Sequence, residues 1–313
     1  MRMSEPPICD YEDSDYQASF WGGGGREYED RVEAIALRRL LPRPGHLMLE
    51  VGAGAGRNTA RYGGYRRIVL LDYSISQLQQ AQARLGSSDT YIYVAADAYH
   101  LPFIEGLFDL ATMIRVLHHI ADAPRALAQI REVLRPSGIF LLEFANKRNT
   151  KSVLRYWFGR QSWNPFTLDP VEFARLNFDF HPGAVRGWLR QLGFEIQKTL
   201  TVSHFRAGFL KRAVPVAALV FLDSVLQWTG ALWQLTPSVF TRAQLEGRAS
   251  EAPSIPTEPI GFFKCPSCGH RPLMRQPAFI ECSNCRREWP VRGEIFDFRL
   301  PPVAQELVEP TGP

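Results

Sequence analysis

Apolar positions along this chain follow two rhythms. Short continuous runs, "HLMLEV" (46–51), "RRIVLLDYS" (66–74), "TYIYVAAD" (90–97), "FDLATMIRV" (108–116) and "GIFLLEFAN" (138–146), are strand length and predict buried strands. Between them the spacing changes to three and four. Val32, Ile35, Ala36 and Leu40 fall near one helical face before Pro42. Leu78, Ala81 and Leu85 mark a second helix, opened by a Ser74–Gln77 capping box and closed by Gly86. Asp122 caps a third, with Leu127, Ile130, Val133 and Leu134 facing inward until Pro136-Ser137-Gly138. Pro182 starts a fourth, with Val185, Trp188, Leu189 and Leu192 on one stripe. Strands alternating with helices in this way predict right-handed crossovers and a mostly parallel sheet. With "FEIQKTLTV" (194–202) and "SVFTRAQ" (238–244), the pattern predicts a seven-stranded, doubly wound α/β domain over 42–245, after an N-terminal segment and helix (1–41).

One stretch breaks this rhythm. Ala213 to Leu235 is 23 residues, long enough to span a bilayer, but Pro215, Asp223, Gln227 and Gln234 interrupt it. It also lies between two expected sheet strands, so a helical insertion over about 207–236, capping a substrate pocket, is the better expectation. Lys211, Arg212, Trp228 and Trp233 keep contact with a membrane surface in view. Beyond the sheet, "EGRASEAPSIPTEP" has linker composition (246–260), and 301–313 reads as a disordered tail.

Charge adds little: 36 Lys and Arg against 32 Asp and Glu leave a net +4, which neither requires nor excludes a nucleic-acid partner. The polar, acidic start "MRMSEPPICDYEDSDYQ" does not read as a signal peptide, so a cytoplasmic protein, with peripheral membrane contact as the alternative, is the expectation. The cysteines change the picture more. Cys9 stands alone, whereas Cys265-x2-Cys268 and Cys282-x2-Cys285 form paired knuckles thirteen residues apart. That spacing predicts a four-thiolate structural zinc site in a small β-rich ribbon over 261–300. On its linker the ribbon is expected to sit as a tethered module, not needed to complete the sheet.

The remaining signal is "LEVGAGAGRNTA" (49–60), with glycines at alternate positions directly after the first central strand. A glycine turn there aims backbone N–H groups and a helix start at a ligand. Arg57 at the sixth position breaks the dinucleotide fingerprint, leaving Glu50-x-Gly52-x-Gly54-x-Gly56. This resembles the first motif of class I S-adenosylmethionine (SAM) methyltransferases. Asp72, ending the second strand, "AADAYHLPF", "FDLATMIRVLHHI" and "IREVLRPSGIFLLEF" extend the likeness over roughly 28–146, as in the type 11 family. The resemblance implies a Rossmann-like fold and SAM as cofactor. It implies that Glu50, Gly52, Gly54 and Gly56 form the cofactor loop and that Asp72 and Tyr73 meet the ribose. Asp97 and Ala98 would receive the adenine, and Arg115 would lie beside the cofactor. "ECSNCRREWPVRGEIFDF" resembles the small zinc-ribbon proteins that activate tRNA and release-factor methyltransferases.

SAM carries an activated methyl group, so the protein mainly aligns donor and acceptor. His119 and His181 are the candidate catalytic residues, His119 facing the cleft and His181 preceding a helix. His181 reads equally as a helix-start residue. Three functions fit: methyl transfer to a small-molecule or lipid-like acceptor; methyl transfer to RNA or a translation protein recognised by the ribbon; and a SAM-binding scaffold without catalysis.

Overall fold

In a computed structural model of the chain, described for residues 5–14, 26–248, 254–299 and 307–308, the apolar runs join one large mixed sheet. The chain enters through a two-residue strand, β1 (Ile8–Cys9), and helix α1 (Glu27–Leu40). The central strands are β2 (Leu47–Val51), β3 (Arg67–Asp72), β4 (Tyr91–Ala95), β5 (Phe108–Met113) and β6 (Leu134–Ala145), each parallel to its neighbour in the order β4-β3-β2-β5-β6. The glycine-rich "FWGGGG" lies outside the described residues.

Helices α2 (Ile75–Leu85) and α3 (Ala123–Val133) are the expected crossovers. Ser74 Oγ accepts from Gln77 N at 3.2 Å and Asp122 Oδ1 from Arg125 N at 3.2 Å, so both caps form. The reciprocal half of the Ser74 box does not, because Ser74 N donates to Asp72 Oδ1 (3.0 Å) and Gln77 Nε2 turns to Ser14 O (3.0 Å) on the N-terminal segment. After β6 come three elements the periodicity did not announce: α4 (Thr150–Trp157) and a hairpin of β7 (Val171–Ala174) and β8 (Asn177–Asp179). Helix α5 (Pro182–Gln191) follows. Strands β9 (Phe194–Val202) and β10 (Ser238–Leu245) then close this side, β10 antiparallel between β6 and β9. One apolar cluster packs α3 and α5 on one face of the sheet, and a second packs α1 and α2 on the other.

The insertion between β9 and β10 consists of α6 (Gly208–Ala213), α7 (Val216–Leu226) and a tight helical turn at Gln227–Ala231. Pro215 separates the two helices, and no described helix is long and apolar enough to cross a membrane. The insertion leans on α1, where Tyr28 Oη donates to Asp223 Oδ2 (2.6 Å) and Gln227 Nε2 to Val32 O (3.0 Å).

Two expectations need correcting. The sheet does not stop at its seven strands from 42–245 but runs to eleven. Strands β11 (Met274–Arg275), β12 (Phe279–Glu281), β13 (Glu288–Arg292) and β14 (Ile295–Asp297) continue it beyond β4, with β14 parallel to β4. Nor does the ribbon hang on a free tether across 246–260. Residues 249–253 lie outside the described residues, but from 254 the chain is laid against the domain. Ile104 N donates to Phe262 O (2.9 Å), Lys264 N donates to Pro102 O (2.8 Å), and Phe262, Phe263, Trp289 and Phe298 are buried in the α3 side of the core. The physical reason is the edge of β4, whose backbone groups and apolar flank would otherwise face water. The last strand, β15 (Leu307–Val308), pairs with β1 (Ile8–Cys9); the rest of the expected tail lies outside the described residues.

Candidate functional site

Parallel strands end together, and their C-terminal ends open the crevice in which doubly wound sheets bind ligands. Here the ends of β2, β3, β4 and β5 bring Gly52, Gly54, Asp72, Tyr73, Asp97, Ala98 and Arg115 around one cavity. The glycine turn is held under the neighbouring strand by Gly52 N and Ala53 N, which both donate to Leu71 O (2.8 and 3.0 Å). All three glycines have positive φ, at 68°, 50° and 72°, but their surroundings differ. A Cβ on Gly52 would lie 2.1 Å from Val116 Cγ2, and one on Gly56 2.9 Å from Leu85 Cδ1, whereas Gly54 has only Gln77 Oε1 within 4 Å, at 3.9 Å. Gly54 therefore leaves its backbone open to the cavity, and Gly56 admits α2.

Asp72 receives Gly54 N on Oδ2 (2.8 Å) and Ser74 N on Oδ1 (3.0 Å), which fixes the carboxylate while leaving each oxygen a free lone pair. Burial pushes its pKa up to about 6. Asp97 Oδ1 accepts from Tyr99 N (2.9 Å), and Oδ2 meets His100 Nδ1 (2.9 Å). Glu50 and Gly56 stand behind the cavity wall. Glu50 accepts from Thr59 Oγ1 (2.6 Å), and burial raises its pKa to about 7. Arg115 adopts φ 64°, donates its backbone N to Glu143 Oε2 (2.9 Å) and turns its guanidinium onto the fully buried Glu33. Arg57 joins the same cluster by bridging Asp30 (2.5 Å) and Glu33 (2.9 Å).

The two histidines part company. His119 lines the cavity, but both ring nitrogens are engaged: one meets Leu176 O (2.9 Å), the other Tyr11 Oη (2.9 Å). The carbonyl can only accept, so Nδ1 carries the proton and Nε2 accepts from the tyrosine; burial lowers the pKa and keeps the ring neutral. His181 lies outside the cavity lining and caps α5, its Nδ1 accepting from Gly183 N (3.0 Å). That is the helix-start alternative.

The sequence reading passed over the segment that roofs the cavity. Pro7, Ile8, Cys9 and Tyr11 line it from above. Glu12 Oε2 and Oε1 accept from Ile75 N (2.8 Å) and Ser76 N (3.0 Å), the free amides at the start of α2. The only signal available was a carboxylate in an acidic stretch. Asp179, at the end of β8, was also missed; burial holds its pKa up at about 6, with Arg206 opposing and Glu143 reinforcing the shift.

In the ribbon, the Sγ atoms of Cys265, Cys268, Cys282 and Cys285 lie within 4.8 Å of one another. Cys265–Cys285 and Cys268–Cys282 are 3.7 and 3.6 Å apart. A tetrahedron of Zn–S bonds of about 2.3 Å has edges of about 3.8 Å, so the donor set fits zinc in size and in kind. The knuckles are shaped by Gly269 N donating to Cys265 O and Arg286 N to Cys282 O, both at 2.8 Å, with positive φ at Gly269 and Arg286.

Comparison with known proteins agrees with this geometry. Residues 49–142 match the type 11 family described as a methyltransferase domain. The chain is 29% identical over 171 residues to the ubiquinone/menaquinone biosynthesis C-methyltransferase UbiE of Teredinibacter turnerae, covering 49% of this chain and 68% of that one. It is 38% identical over 114 residues to the O-methyltransferase cnsE of Penicillium expansum, covering 35% of this chain but only 41% of that one. A Listeria monocytogenes structure described as a SAM-dependent methyltransferase shares the fold, with a TM-score of 0.50 at 17% identity over 70% of this chain and 99% of that one. The chain carries a SAM-dependent methyltransferase domain.

Proposed function

We propose that this protein transfers the methyl group of SAM to a small, apolar, lipid-like acceptor. The observation that carries this reading is the pairing of a cofactor-type cavity with a separate cleft of about 1020 Å³. Leu154, Phe158, Phe209, Leu226, Trp233 and Leu235 line that cleft between α4 and the helical insertion. In this reading the insertion covers the acceptor, not the cofactor. Arg206 lines the cleft, and its charge bears on Arg115, which lines the cofactor cavity. The relative named above for ubiquinone/menaquinone biosynthesis fits an apolar acceptor.

SAM, when bound, supplies a sulfonium-activated methyl group. The free lone pairs of Asp72 suit the ribose hydroxyls, Asp97 with the backbone at Ala98 suits the adenine amine, and Gly54 admits the cofactor to the backbone. The segment at Pro7–Tyr11 keeps water from the cavity. A hydroxyl or carbon acceptor must also lose a proton. His119 has no free nitrogen for that task. The four cysteines would hold a zinc ion with no open position, which would serve the ribbon's fold.

The second reading, methylation of RNA or a translation protein through the ribbon, is favoured by Arg275, Arg286 and Arg287, but the ribbon already spends β14 and its aromatic residues on the sheet edge. Incubation with methyl-labelled SAM and fractionated lysate separates the readings. Label should enter the organic-extractable fraction. Label in RNA or protein alone would transfer the assignment to the second reading, and label nowhere despite SAM binding to the scaffold reading.

A further inference from the structure

Among the described residues, the large apolar side chains left exposed are concentrated in two segments. All but Met274 fall within 154–173 or 209–235. The two segments meet: Thr150 N donates to Leu235 O (2.8 Å), and the 1020 Å³ cleft is lined from both. Trp157, Phe158 and Leu154 project from α4 on one side. Phe209, Phe221, Trp228 and Trp233 project from the insertion on the other, with Trp157 67% and Phe158 72% exposed. Helix α7 is apolar on both sides: Leu219 and Val220 are buried against the domain, while Phe221, Leu222 and Val225 face outward. A contiguous apolar face of this kind on a soluble fold marks an interaction surface.

The charges that line the cleft are of one sign; Asp169 and Glu172 belong to the first segment but not to the cleft lining. From Phe144 to Leu168 the chain has no carboxylate, and Lys151, Arg155 and Arg160 are exposed along the cleft. Between Glu195 and Glu246 the single carboxylate is Asp223. It is fully buried, turned inward to Tyr28 Oη and to His204 N (2.7 Å), so it offers no negative charge to the face. Outward-pointing Trp and Phe rimmed by Lys and Arg are the complement of an anionic bilayer: the rings enter the boundary between headgroups and chains, while the cations meet the phosphates. A protein partner would need matching acidic side chains and a fixed shape; a lipid surface needs neither.

We propose that the face formed by α4 and the α6–α7 insertion seats the protein on an anionic phospholipid surface, with the mouth of the cleft against the lipid. The proposal deepens, and rests on, the reading of a lipid-like acceptor, since it brings the cleft to the phase where such a molecule dissolves. The seating itself requires no methyl transfer.

The experiment is sedimentation of the full-length, zinc-loaded protein with vesicles of phosphatidylcholine alone or mixed with phosphatidylglycerol, without SAM or acceptor. The expected result is sedimentation with the mixed vesicles, weakened by salt. Each basic side chain at such a surface contributes about fivefold in partition, so the triple variant Lys151→Gln, Arg155→Gln, Arg160→Gln should lose roughly a hundredfold. The exposed pair Phe158→Ser, Trp233→Ser should also release the protein at an unchanged melting temperature. Equal sedimentation with both vesicle types, or with neither, would overturn the proposal. So would concentration-dependent dimerisation abolished by Phe158→Ser, Trp233→Ser, which would assign the face to a second copy of the chain. Lipid binding without any transfer of label to lipid would instead sink the acceptor reading and leave the seating intact.

Discussion

Gly52 combines a φ of 68° with a Cβ position 2.1 Å from Val116 Cγ2, and Val116 itself lines the cofactor cavity. Gly52→Ala must therefore both strain the turn, by about 1–2 kcal/mol, and displace the cavity wall. It should lower the melting temperature and weaken SAM binding at least about tenfold, which calorimetry would measure. Asp72 is different, because nothing packs on its removal but hydrogen bonds vanish. Asp72→Ala should cost a few kcal/mol of SAM binding, on the order of a hundredfold. Its raised pKa adds a pH dependence. Below about 6 the carboxyl gains a proton and loses acceptor capacity, so SAM affinity should fall as pH drops through 6, by up to about tenfold per unit. The stability of the cofactor-free protein responds in the opposite sense. Asp72 and Glu50 hold protons more tightly folded than unfolded, so their contribution is full below about 4 and is lost as pH rises through about 6 and 7. Titrating Asp72→Ala alongside the wild type would isolate that carboxylate: a pH slope unchanged in the variant would remove Asp72 as its source.

At the level of elements, a buried carboxylate helps to fasten the insertion, alongside Gln227 Nε2 on Val32 O and Lys211 Nζ on Glu29 Oε1. Asp223 takes Tyr28 Oη, His204 N and His204 Nδ1 at 2.6, 2.7 and 3.0 Å, tying α7 to α1 and to the end of β9. Asp223→Ala strands at least two buried donors, so it should cost about 2–4 kcal/mol in denaturant unfolding. A loss below about 0.5 kcal/mol would show that the remaining contacts hold the insertion. The ribbon's own fold is expected to rest on its four cysteines. One zinc per chain is expected from elemental analysis, falling toward zero in Cys282→Ser, with Cys9 uninvolved.

At the scale of the whole molecule, the ribbon is part of the sheet. Phe262, Phe263, Trp289 and Phe298 are buried with the catalytic domain, each worth on the order of 1.5–3 kcal/mol. The ribbon also reaches the cofactor cavity: the Arg299 guanidinium lies 5.6 Å from the ring centre of Tyr73 and is held by Asp297 Oδ1 (2.9 Å) and Oδ2 (3.0 Å). Truncation after Gly247 would uncover the β4 edge and release Tyr73 together. The truncated protein should aggregate or melt far below the full chain and bind SAM weakly. A monomeric product with native SAM affinity, by gel filtration and calorimetry, would contradict this.

The sequence by itself determined the strand and helix rhythm, the glycine turn, Asp72 at its strand end and the four thiols. These depend on local chemistry: a buried parallel strand is largely apolar, a backbone that meets a ligand closely favours residues without Cβ, and a C-x-x-C knuckle brings two thiolates within reach of one ion. Tertiary structure alone decided where the ribbon goes. Pairing β14 with β4 uses backbone groups that every residue carries, so "GEIFDF" reads the same whether tethered or docked. It alone engaged both nitrogens of His119, since Tyr11 is 108 residues away. It alone raised Asp179, whose pKa is set by burial and by Arg206 and Glu143, brought from two other strand ends. Local pattern fixes which groups are present; the free energy of each group depends on neighbours that only the folded chain supplies.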